Sequence, residues 1–474
     1  MPFKKNGVIT LWGIGGLSQS KITGSKEPEK WIYSENRANM KFQYDMGATG
    51  ISLFRRIGEK TTLKNSLGIS CQYHSYYDEY YKIVADSIHL LPLHFSRKKN
   101  VDLIFSSELK YKTTNKLLFN TGITISKKSF ELYGKSVDYN TNIYDAFLDG
   151  SGDTYYSHAF IQSKYKFSSR VNIVAGVNAS YLGINNELLF EPRVSAQVFI
   201  TPNHELALGL GRHSQTEMLP IYYIEKQNNK SFNYEFPNLN LKRLKSTHYV
   251  FSYNWLINAN LRFKTEIYYQ QLFDLPVVPG THISLINFKN NWTFNHALTN
   301  EGKGFNTGID ITFERFLNKG FYSIITASIF KSLYTGGDGI ERSTRYDGLF
   351  VFNLLAGKEI IVKTKNVIGF NFKSTFKGPE LYQPINEALS HQYGEIIDDY
   401  TKPLERRKAT VENATDINIS YRINEQNKAH IISLQAKNII GREYRGKRYN
   451  LKTNTIEEEY FSSIVPFISY RIEF

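Results

Sequence analysis

Leu261-Arg262-Phe263-Lys264-Thr265-Glu266-Ile267-Tyr268-Tyr269-Gln270 decides the fold. In an extended chain, successive side chains point to opposite faces. Leu261, Phe263, Ile267 and Tyr269 then share one face, with Thr265 among them. Arg262, Lys264, Glu266, Tyr268 and Gln270 share the other. The same period recurs in Ile309, Ile311 and Phe313 against Asp310, Thr312 and Glu314. It recurs in Ile417, Ile419, Tyr421 and Ile423 against Asp416, Asn418, Ser420 and Arg422. It closes the chain in Ile468, Tyr470, Ile472 and Phe474 against Ser469, Arg471 and Glu473. A soluble β-sandwich alternates too, so strand length and loop rhythm decide. These runs are about 10 to 14 residues, against about 5 or 6 in globular sheets. A membrane-spanning β-strand needs about 9 to 11.

The connections fall into two alternating classes. Short polar turns are expected at Arg56–Lys60, Thr113–Lys116, Ser168–Arg170, Thr201–His204, Ile257–Asn260, Leu317–Gly320, Ile360–Thr364 and Asn424–Lys428. Between them lie longer segments at 18–36, 77–100, 133–155, 215–246, 274–303, 335–346, 377–412 and 442–462, with one brief member at Gly183–Leu189. Short turns at one end and long loops at the other are the rhythm of an outer-membrane barrel. The count is about 18 strands. They start near residues 6, 37, 61, 101, 117, 156, 171, 190, 205, 247, 261, 304, 321, 347, 365, 413, 429 and 463. The expected fold class is all-β, an antiparallel transmembrane outer-membrane β-barrel.

Composition agrees. The 474 residues include 33 Tyr, 32 Phe and 32 Gly but only 13 Pro and 4 Met. No stretch approaches the roughly 20 apolar residues of a membrane-spanning helix, which excludes a helical membrane protein. The one cysteine, Cys71, excludes an intramolecular disulfide framework and a thiolate metal cluster. The net charge of +14 is spread over strands and turns with no basic block. A mildly cationic solvated surface is therefore expected, and no nucleic-acid partner. Met1–Gly7 leads straight into an apolar strand with neither an apolar signal core nor a cleavage site. The sequence is thus read either as cytoplasmic or as the downstream part of something longer.

Several segments resemble TonB-dependent outer-membrane receptors. They are Phe190-Glu-Pro-Arg-Val-Ser-Ala-Gln-Val-Phe-Ile200 and its continuation to Gln215, Ser246–Trp255, Lys264–Pro276, Gly304–Gly308, Asp347–Lys358 and the closing Ser469-Tyr-Arg-Ile-Glu-Phe474. Leu11–Ser18 resembles a mid-barrel strand of the subgroup that carries a carboxypeptidase-regulatory-like domain before its plug. The resemblance runs through nearly the whole chain. It implies a barrel of about 22 strands, of which about 18 are read here as one domain, 1-474, N-terminally incomplete and with no plug or signal peptide. It implies outer-membrane lipid and lipopolysaccharide as surroundings, and TonB as a partner through a plug missing from this chain. It also implies recognition of the terminal strand, ending at Phe474, by the barrel assembly machinery.

No catalytic constellation emerges, so no enzyme is expected. Gly13, Gly15 and Gly16 lack the following helix and Lys-Ser/Thr of a phosphate loop. Gly209 and Gly211 alternate with Leu208 and Leu210, which places them on the lumen face. His89, His94, His213 and His391 read as ordinary exposed histidines rather than ligands; no cofactor and no metal site is expected. The long loops are the candidates for ligand contact, and several are aromatic-rich. Tyr76, Tyr77, His89, Tyr144, Tyr222, Tyr223 and Tyr234 are the candidate contacts, with an interfacial aromatic girdle as the competing reading. The mixed charges of 377–412 read as a solvated loop.

These readings converge on a receptor or transporter barrel for a large ligand: a metal chelate, haem, a corrinoid or an oligosaccharide. The rival is a porin-like passive channel, since about 16 to 18 strands can close around an aqueous pore. A soluble β-rich protein is the weaker rival, because its apolar outward faces would lie in water.

Overall fold

The computed structural model describes residues 7–137, 143–227, 234–288, 294, 296–363, 365–406, 411–441 and 443–474. Its principal sheet has nineteen strands, one of them the three-residue Glu341–Ser343. The other eighteen form an antiparallel up-and-down meander. They are β1 Gly7–Ile22, β2 Ala38–Ile57, β3 Thr61–Val84, β4 Ser87–Lys112, β5 Leu117–Val137, β6 Tyr144–Lys166, β7 Val171–Leu182, β8 Glu187–Thr201, β9 His204–Gln215, β10 Leu244–Asn258, β11 Leu261–Val277, β12 Thr299–Asn318, β13 Phe321–Thr335, β14 Phe350–Val362, β15 Asn366–Lys377, β16 Glu412–Asn424, β17 Ala429–Lys437 and β18 Val465–Glu473. The eight short turns all fall where the sequence places them, at one end of the sheet.

Register explains the two faces. Ile51 pairs with Leu67, Leu67 with Phe105 and Phe105 with Ile125. All four are 41–48% exposed, although all are large and apolar. Three rungs along, Ser70, Asp102, Lys128 and Thr154 form a polar row on the opposite face. A soluble protein buries the first row and wets the second; an outer-membrane barrel faces lipid with the first and lines its lumen with the second. The glycines of β9 fit this assignment. Leu208 and Leu210 face outward, and a Cβ on Gly211 would come 3.0 Å from His213 and 3.3 Å from Arg193. No helix among the described residues is long and apolar enough to cross a membrane.

Two expectations need correction. Segment 77–100 is not a loop: β3 and β4 remain paired to Val84 and Ser87, and only Ala85 and Asp86 turn the chain. Opposite Asp78 and Glu79 the ladder skips Leu93 of β4, a bulge that shifts the register and hides the alternation. Likewise β6 begins at Tyr144 rather than near residue 156. These strands therefore stand well beyond the apolar belt.

Among the described residues the ladders of β1 and β18 run to β2 and β17, and none joins β1 to β18. Both strands carry strongly exposed apolar side chains, such as Leu17 and Ile468.

Candidate functional site

The largest buried apolar cluster among the described residues lies in the loops, not in the sheet. Residues 216–227 and 234–243 fold against 278–288, 294 and 296–298 and onto the upper wall, burying Ile221, Tyr222, Leu241, Leu285, Phe294 and Leu298 around Leu182. Each such side chain contributes roughly 1.5–3 kcal/mol. Within 216–243, the short helix α1, Leu219–Tyr222, starts with proline in its first turn, where a missing N–H costs nothing. Asn238 ties the two segments together. Its Nδ2 donates to the carbonyls of Ile221 and His296, both at 3.0 Å, and its Oδ1 accepts from Leu298 N at 2.9 Å. Arg243 anchors the segment to the wall: fully buried, it donates to Glu187 Oε2 at 3.0 Å and to Ser180 Oγ at 2.7 Å.

Beside this lid opens a cup of about 850 Å³, walled by 278–298, by the 378–411 connection and by residues near Lys447. That volume suits a drug-sized or chelate-sized ligand. Phe288 stacks on Tyr400 with centroids 6.1 Å apart and meets Phe294 edge-on at 5.0 Å. Lys447 lies over the Tyr382 ring, its Nζ 5.0 Å from the centroid. Arg345 is held by Asn287, whose side-chain and main-chain oxygens accept from its backbone N at 2.9 Å and its Nε at 2.8 Å. Burial raises the Asp398 carboxyl above its usual value, against the opposing pull of Arg345 and Lys447. Lys377 is neutralised by Glu380 and Glu412, each at 3.1 Å. The cup thus offers flat aromatic surface with separated cations, chemistry for stacking and anion pairing. Among the described residues no cluster of three or more His, Cys, Asp or Glu is placed to hold a metal ion.

The 378–411 connection is held in place by particular contacts. Arg406 bonds Asp347 Oδ2 at 2.8 Å and the Pro379 carbonyl at 2.9 Å. The helix α2, Glu387–Tyr393, is capped by Asn386, which accepts from Leu389 N at 3.1 Å. The expectation that this stretch is merely a solvated loop is therefore corrected: it supplies much of the cup wall.

The sequence-derived candidates lie elsewhere. Tyr76 faces the lumen side, where its hydroxyl donates to Asp78 at 2.6 Å. Tyr77, one residue on, faces outward and donates to Glu79 at 2.6 Å. His89 sits opposite Lys82 near the tip of the β3–β4 hairpin, and Tyr144 opens β6 opposite Val137. Tyr222 is buried in the lid core. Tyr223 packs against Gly152 and donates to the Asp153 carbonyl at 2.6 Å. The side chain of Tyr234 lies outside the described residues. None of the six described side chains lines the cup, whereas Phe288, Tyr382 and Tyr400, unremarked in the sequence, do.

No family model matches the chain, and no curated protein matches it in sequence. Solved structures do match in fold. The outer membrane transporter YddB from Escherichia coli is 12% identical with a TM-score of 0.64, covering 99% of this chain and 66% of its own. The ferric yersiniabactin uptake receptor FyuA from Yersinia pestis is 10% identical with a TM-score of 0.63, covering 99% and 68%. BauA, the ferric preacinetobactin receptor from Acinetobacter baumannii, is 10% identical with a TM-score of 0.61, covering 98% and 70%. This chain therefore has the fold of outer-membrane β-barrel transporters and spans about two thirds of their length.

Proposed function

We propose that this chain is the barrel part of a TonB-dependent outer-membrane receptor, with a transport rather than a catalytic role. The cup captures a large ligand from outside the cell, and the lumen passes it inward when TonB acts on a plug in the intact protein. The strand segment Leu11–Ser18 favours the subgroup with a carboxypeptidase-regulatory-like domain. In the same reading about four further strands complete a barrel of about 22, between β18 and β1. The barrel sits among outer-membrane lipid and lipopolysaccharide, and its last strand, ending at Phe474, is read by the barrel assembly machinery.

The observation that carries this reading is the aromatic cup beside a packed, latched lid. A passive pore has no need of a fixed core folded over its mouth. The test is binding of a panel of ferric chelates, haem, corrinoids and oligosaccharides to the detergent-solubilised chain. Phe288→Ala and Tyr400→Ala should each weaken the bound class by at least about tenfold, the scale of losing a buried aromatic anchor. A chain that binds none of the panel yet conducts ions steadily in planar bilayers supports the porin-like channel instead.

A further inference from the structure

A second cavity, of about 210 Å³, lies between the lid and the lumen wall. It is about a quarter of the cup's volume, too small for the ligands suited to the cup. Its floor is polar: Ser70, Gln72, Asn100, Ser129 and Thr154 line it beside the Asp102–Lys128 pair, whose charges meet at 3.2 Å.

Two further charged groups reach this cavity from opposite elements. Lys98 comes from β4 in the wall and is 8% exposed. Its cross-strand neighbours are His74 and Leu132, which bring no negative charge. Glu217 comes from the lid, just before α1. Among the described residues neither side chain makes an ion pair or a side-chain hydrogen bond. Lys98 is buried and Glu217 half-buried, and each lacks a charge partner. A ligand that supplies both missing charges makes charge-assisted hydrogen bonds to both.

We propose that this cavity binds a free α-amino acid, its carboxylate on Lys98 and its ammonium on Glu217, with the side chain towards Leu182, Met218 and Leu219. An α-amino acid carries its two opposite charges on one small frame, and the apolar part of the lining lies on the lid side. The site is distinct from the cup and does not depend on what the cup binds. The groups facing Glu217 are Tyr222 on its own segment and, across the cavity, Lys98, Asp102, Lys128 and Tyr156. Burial pushes the Glu217 carboxyl up to about 7. A bound ammonium favours its ionised form, so affinity should weaken as pH falls through that value.

The experiment is calorimetric titration of the full chain in detergent with each of the twenty free L-amino acids. The best binder is then compared with its decarboxylated amine and its deaminated acid. The expected result is that each analogue binds at least tenfold more weakly than the amino acid. In Lys98→Met the amine should bind as well as the amino acid; in Glu217→Gln the acid should do so. The comparison on the unaltered chain stands even if a variant fails to fold. Binding by no amino acid, or equal binding of the amino acid and either analogue to the unaltered chain, overturns the proposal. An acid that binds as tightly as the amino acid identifies a plain anion site instead.

Discussion

At the scale of single residues, the lid depends on charges removed from water. Arg243 is fully buried with its guanidinium divided between Glu187 and the Ser180 oxygens. Lys245 adds a second cation, 3.2 Å from Glu187 and 2.7 Å from Asp274. Removing one partner of a buried pair leaves the other uncompensated, at about 3–5 kcal/mol. Arg243→Met should therefore release 216–243, seen as protease cleavage within that segment while the barrel strands stay protected. Glu217 adds a pH dependence of known sign. Its folded value, about 7, lies above the ordinary 4.5. The folded state thus holds the proton more tightly, and stability falls as pH rises between about 4.5 and 7. Each tenfold difference in proton affinity is worth about 1.4 kcal/mol, so the loss across that window is roughly 3 kcal/mol. Protection factors of the amides in residues 216–224, corrected for the intrinsic rise of exchange with pH, should fall over that window and stay flat in Glu217→Gln; protection that grows with rising pH contradicts the assigned burial.

At the scale of elements, the β3–β4 hairpin is the sharpest case. Ala85 and Asp86 both adopt positive φ, 48° and 64°, the pair of left-handed residues that a two-residue hairpin turn requires. Alanine pays for that conformation with its Cβ, whereas Asn-Gly adopts it readily. The double substitution Ala85→Asn with Asp86→Gly should stabilise the hairpin by about 1 kcal/mol, read as slower amide exchange in residues 81–90. The same hairpin shows where sequence reading runs out. Leu261–Gln270 announced its strand because apolar and polar residues alternate along it, with Thr265 and Tyr268 the exceptions. In 77–100 charged residues sit on both faces beyond the apolar belt, the bulge at Leu93 breaks the period, and the turn lacks Gly, Asn or Pro. The cup was hidden for a different reason. Its walls come from segments more than fifty residues apart, joined by Arg345 to Asn287 and by Arg406 to Asp347. No local pattern encodes such contacts, so aromatic richness pointed to tyrosines that mostly pack or hydrogen-bond within the frame.

At the scale of the whole molecule, everything rests on which face meets lipid. The eighteen-strand order and the eight short turns were legible because alternation and turn chemistry are local, while the assignment of faces is a claim about solvent. Leu67 sits in the outward row with Ile51, Phe105 and Ile125; Ser70, three residues along the same strand, sits in the polar row with Asp102. An arginine in place of a lipid-facing residue costs about 2–4 kcal/mol near the bilayer midplane, and a lumen position tolerates it far better. Leu67→Arg should therefore lower the folding yield into lipid vesicles and the urea midpoint of the folded barrel, and Ser70→Arg should leave both nearly unchanged. In a soluble sandwich, folding would not need vesicles at all, and Leu67→Arg would put a charge into the buried row of a chain that folds without detergent. Reversal of the two effects in vesicles would place the polar row against lipid, which four unshielded charged or polar side chains in register cannot sustain.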